Sequence, residues 1–157
     1  MVNEKAGNTP IAGRAEKPPR TLGERTMQEE IRIIEGLYKS GQLNSICLHL
    51  LEFVSRHRDE IRAIANKNRI HNANIEATKQ LIQHRGSIHL PSEMADQIKE
   101  INNEIWYRGE HGDYDRAKIQ EEWAMRYASM WRNFRIKEIL FVVEQKASDI
   151  DAIVNAR

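Results

Sequence analysis

Two His-x-x-Glu pairs, His49 with Glu52 and His57 with Glu60, lie eight residues apart in a stretch that holds neither Gly nor Pro. On one continuous helix, at about 100° per residue, the four side chains share a sector, as a divalent metal or a proton-transfer site would require. The match to known chemistry is poor. Carboxylate-bridged bundle enzymes place Glu-x-x-His on two helices and draw further glutamates from two more. Here the order is reversed and one segment carries both pairs. Of the four residues only His57 falls on the apolar seam of its segment, where a histidine more often serves as a hydrogen-bonded core residue than as a ligand. His49, Glu52, His57 and Glu60 are weak candidates, and neither a metal nor a cofactor is expected.

A second constellation interleaves Arg126, Arg132, Arg135 and Lys137 with Trp123, Tyr127, Trp131 and Phe134. Such a mixture suits nucleic acid, with cations on phosphates and rings stacked on bases. The helical period weakens this reading, because it gathers the rings inward and leaves the cations as a solvated face. Arg58, Arg62 and Arg69 form a similar stripe further upstream. The turn Glu110-His111-Gly112-Asp113-Tyr114-Asp115 clusters three carboxylates but lacks the ligand spacing of a calcium loop, so its acids are read as caps for the next helix. Cys47, the single cysteine, sits among Leu43, Ile46, Leu50 and Val54 and reads as a core thiol. No phosphate loop, nucleophile elbow, zinc-ligand set or dinucleotide fingerprint occurs, which favours a non-enzyme without establishing one.

The elements that would position these residues are helical. Met27, Ile31, Ile34, Leu37 and Tyr38 mark a helix over 27–40, with Gly41 at its C-cap. From Gln42 to Arg85 one apolar phase persists, with Leu43, Leu50, His57 and Ile64 at intervals of seven, a seam that packs on another helix. Asparagine enrichment over 66–74 predicts a break there, with Asn74 capping the next segment, although one unbroken helix is the alternative. A helix from Ser92 to Arg108 should bury Met94, Ile98, Ile101 and Ile105. Asp115 to Lys146 reads as one long helix whose stripe is Ile119, Trp123, Tyr127, Met130, Phe134 and Phe141, and a final helical turn begins near Ser148. Three of the four prolines lie in residues 1–26, which read as a flexible tail ahead of a single helical domain, 27–157.

Length and charge set the remaining bounds. The chain has 157 residues, 30% of them charged, and a formal net charge of +1, which gives no overall pull toward nucleic acid. No apolar run approaches the ~20 residues of a membrane span, and the N-terminus lacks a secretory h-region, so a cytoplasmic location is expected. The expected fold is all-α, a bundle of about five helices with one long C-terminal helix. The expected function is a protein-interaction or assembly subunit that self-associates through Trp131, Ile136, Leu140 and Val143 on the last long helix. Nucleic-acid binding through Arg126, Arg132, Arg135 and Lys137 is the alternative. Trp123 should be buried and Trp131 half exposed.

Overall fold

A computed structural model describes residues 26–156. They form α1 (Met27–Lys39), α2 (Asn44–Arg56), α3 (Arg58–Asn68), α4 (Ala73–Arg85), α5 (Leu90–Glu110), α6 (Arg116–Arg126), α7 (Ala128–Gln145) and α8 (Ala147–Asn155), with no strand among the described residues. The all-α expectation holds. The count of about five helices and the single long C-terminal helix do not, and the expected tail lies outside the described residues apart from Thr26. None of the described helices is long and apolar enough to cross a membrane.

The extra helices arise at single-residue joints. His57, Tyr127 and Lys146 have φ between −117° and −106°, with ψ near zero, and each separates two helices. At each joint the backbone ladder survives. The N–H of His57 donates to Phe53 O at 2.9 Å and that of Ile61 to His57 O at 3.0 Å; Tyr127 and Lys146 are bonded alike, to Trp123 and Val142 before and from Trp131 and Ile150 after. The chain therefore bends without orphaning a buried backbone group, and Gly or Pro is not needed to do it. The asparagine-rich break is a different device. Arg69 and Asn72 both take left-handed backbone, a conformation asparagine tolerates better than most residues. Asn72, not Asn74, precedes α4. The Asn74 amide instead donates to Asp151 and Asn155 of α8 at 3.1 and 3.2 Å.

Helix ends elsewhere follow local chemistry. Thr26 and Glu29 exchange hydrogen bonds in a capping box, Thr26 N–H to Glu29 Oε1 at 2.8 Å and Glu29 N–H to Thr26 Oγ1 at 3.1 Å. Gly41, with φ of +85°, ends α1 and lets Gln42 N–H reach back to Leu37 O at 2.9 Å. Asp115 caps α6 by accepting from the Lys118 N–H at 3.1 Å.

The described residues cluster into two compact units: residues 26–33 with Pro91–Phe134, and Ile34–Leu90 with residues 135–156. In the second unit α8 packs against α2, α3 and α4. Leu50, Val54, Ile61, Ile82, Ile139, Val143, Ile150 and Val154 are buried there, so the heptad seam of the sequence faces its own chain. Tyr38 meets Phe141 edge-on, with ring centroids 5.7 Å apart. Lys79 of α4 pairs with Glu144 of α7 and, at 3.4 Å, with Glu76. Burial alone would lower the Lys79 pKa, but Glu144 and then Glu76 outweigh it and raise the value.

Arg62 closes this unit. Its Nε donates to Val154 O at 3.2 Å and its Nη2 to Ala156 O at 3.0 Å, so a cation meets the carbonyl end of α8. Arg62→Ala should cost about 1–2 kcal/mol in urea denaturation, since it strands carbonyls that a charged donor now satisfies. Arg62→Lys should recover part of that loss, and an unchanged midpoint in both variants would show that α8 is held by its apolar face alone.

Candidate interaction surface

The histidine–glutamate pairs do not assemble. The joint at His57 places His49 and Glu52 on α2 and Glu60 on α3, which removes the common sector that one helix would have given. Glu60 is occupied by its own neighbours, accepting from Arg85 Nη2 at 3.0 Å and lying 2.9 Å from His57 Nδ1. The His57 contact first, and Arg85 after it, hold the Glu60 carboxyl below its usual value. His49 stacks on His89, ring centroids 3.8 Å apart and planes 6° from parallel, so the rings offer each other faces rather than nitrogen lone pairs. Among the described residues no three metal-ligating side chains come together.

The residues named for interaction are divided. Trp131 and Val143 are buried, while Ile136 and Leu140 are half buried. The expected half-exposure of Trp131 is therefore wrong, and the joint at Tyr127 is the reason. It resets the helical phase, so α7 buries Trp131, Phe134, Arg135, Glu138, Ile139, Val142 and Val143 at spacings of three, one, three, one, three and one, while Met130 and Phe141 of the expected stripe are half buried. Trp123, on α6, is buried as expected.

The same phase divides the four cations. Arg126, Arg132 and Lys137 are exposed, but Arg135 is buried with its Nε 3.3 Å from Glu138 Oε1, itself fully buried. A buried cation held against a carboxylate is not offered to phosphate.

Helix α5 is where the sequence pattern and the observed burial part most clearly. Its apolar stripe, Met94, Ile98, Ile101 and Ile105, was expected inside. Met94 and Ile98 are instead 54% and 55% exposed, whereas Glu93 and Glu100 are 4% and 6% exposed. Ile101 and Ile105 are half buried. At about 100° per residue the acidic face lies roughly 100° around the helix from the apolar one. Burying a carboxylate is costly unless it is partnered, and Glu93, Asp96, Glu100 and Glu104 all have partners.

Arg108 fixes this roll. Standing one turn beyond Glu104, it donates from Nε to Glu104 Oε2 at 3.1 Å and from Nη1 to Glu122 Oε1 of α6 at 2.5 Å. Asp113 Oδ2, in the connecting turn, lies 3.8 Å from the same Nη1 and 3.3 Å from Lys118 Nζ. Asp113 also accepts the Asp115 N–H at 3.2 Å. The acids of this turn thus organise the helical hairpin. The Arg108 hydrogen bond holds the Glu122 carboxyl below its usual value of 4.5, and the Asp115 N–H, then Lys118, hold Asp113 below 3.8.

Two consequences can be measured. Because both carboxyls are lowered, their contribution to the hairpin is complete above about pH 4.5 and is lost as pH falls through the lowered values. In acid titration followed by amide exchange of α6, Arg108→Ala should flatten that acid-side loss. A profile that Arg108→Ala leaves unchanged would remove Arg108 from the account. Trp123→Ala and Trp131→Ala should each cost roughly 3–5 kcal/mol, since both rings are buried. A mild Trp131→Ala would return that ring to the surface. Against known proteins, the chain matches no family model, no curated protein and no solved structure, which leaves function to be read from the outer face of α5.

Proposed function

We propose that this protein is a non-enzymatic helical assembly subunit that docks on a protein partner through the outer face of α5. The observation carrying this reading is the roll of that helix, with glutamates turned inward and Met94 and Ile98 turned to solvent. Each such side chain gains roughly 1.5–3 kcal/mol on full burial, so a free surface helix would be expected to turn the other way. A partner that covers the stripe supplies the missing burial. Other exposed apolar residues, such as Leu48 on α2, Ile70 between α3 and α4, and Met125 on α6, are scattered and ordinary for a folded surface.

Chemistry narrows the partner. The exposed stripe carries no cationic patch beyond the single neighbouring Lys99, so it offers little to nucleic acid or anionic lipid and leaves protein as the fitting class.

The double variant Met94→Glu, Ile98→Glu tests this directly. Both side chains are already more than half exposed, so the thermal midpoint should stay close to that of the parent. Association, measured by sedimentation velocity at micromolar concentration and by recovery of bound protein, should weaken by well over tenfold. Association that survives the double variant, or a parent chain that binds neither itself nor any protein, removes the proposal.

A further inference from the structure

We infer that the tip of the α3–α4 hairpin, residues 66–72, docks in the minor groove of duplex DNA, with Lys67 and Arg69 on phosphates and Ile70 as a wedge between base steps. Helices α3 and α4 pack along each other, and the turn that joins them carries no carboxylate, since residues 61–75 include neither Asp nor Glu. The acids that bound this run are held by neighbours, Glu60 by His57 and Arg85 and Glu76 by Lys79. Asp151 of α8, which reaches Asn74, accepts from that amide at 3.1 Å. Asn66, Lys67, Arg69, Ile70, His71 and Asn72 are all exposed, and among the described residues Lys67 and Arg69 enter no ion pair. Two cations are therefore left for phosphate.

The backbone sets this turn apart. Arg69 is the left-handed C-cap of α3, at φ 48° and ψ 42°. Among the described residues the other left-handed positions are Asn72 and the glycines Gly41, Gly86 and Gly112. A turn that only has to stop a helix takes glycine, because a Cβ is crowded in that region. Arg69 accepts that crowding and places a cation at the tip. Ile70 by itself, 53% exposed, would be an ordinary surface side chain. Its neighbours distinguish it. Minor-groove proteins combine cations, asparagine amides that read the acceptors of the groove floor, and an apolar wedge that partly unstacks one step. Residues 66–72 supply all three and hold no Phe, Tyr or Trp, the rings on which single strands stack. This surface is independent of the α5 face, and the failure of either reading leaves the other standing.

The test titrates the full chain into a short A·T-rich DNA duplex that carries 2-aminopurine at its central steps. Two neutralised phosphates should give log K a slope of about −2 against log salt concentration. The double variant Lys67→Ala, Arg69→Gly should bring that slope close to zero and weaken binding roughly tenfold or more at low salt. Glycine suits the left-handed position, so the thermal midpoint of this variant should not fall, which separates lost binding from lost fold. Ile70→Ala should keep the slope and lose the rise in 2-aminopurine fluorescence that unstacking produces. Duplex binding that survives the double variant, or no binding at low salt, overturns the proposal. Heparin or phosphatidylserine vesicles bound as tightly as the duplex, with no fluorescence rise on the duplex, reveal a general anionic contact and overturn the groove and the wedge alike.

Discussion

The Arg108 guanidinium is the contact on which the α5–α6 hairpin turns. It joins Glu104 on its own helix to Glu122 on the next and faces Asp113 in the turn between them. An arginine fork that satisfies carboxylates on two helices fixes the roll of one against the other more tightly than apolar packing, which tolerates sliding. With Arg108 bonded to Glu122 of α6, Glu93 and Glu100 lie buried, while Met94 and Ile98 are exposed and Ile101 and Ile105 are half buried. The exposed apolar face is thus a geometric consequence of where the charged residues find their partners.

The second unit is organised by the end of the chain. Helix α8 lies against α2, α3 and α4, and its carbonyl terminus is closed by Arg62 while Asn74 reaches its side. Three of these helices are linked in sequence to neighbours through single-residue joints at His57 and Lys146, and the ladder bonds across those joints keep the backbone satisfied. A joint of this kind changes helix direction at small energetic cost, because no donor or acceptor is left buried and unbonded. It needs neither Gly nor Pro, so the bend is silent in the residue types.

That silence explains which parts of the surface were legible. The residues first named for interaction came from the period alone, and the phase shift at Tyr127 moved Trp131 and Val143 into the interior, leaving Ile136 and Leu140 half buried. Arg135 read as part of a cationic face for the same reason, and its burial beside Glu138 depends on the shifted phase. The α5 stripe was visible as a stripe from the start. Its direction was not, because amphipathic spacing shows that two faces differ and does not say which of them the fold turns inward.

The sequence by itself determined what depends on neighbours within a turn or two: the all-α class, the Gly41 terminus, the Asp115 cap, the asparagine-rich break and the burial of Trp123. These follow from hydrogen bonds and side-chain spacings that close locally, so residue types suffice to predict them. Tertiary structure alone decided the phase of α7, the division of the His-x-x-Glu pairs between two helices and the outward face of α5. Each rests on a backbone angle at a residue of unremarkable type or on a contact between helices, such as that of Arg108 with Glu122. No pattern along one helix encodes which distant carboxylate an arginine will meet.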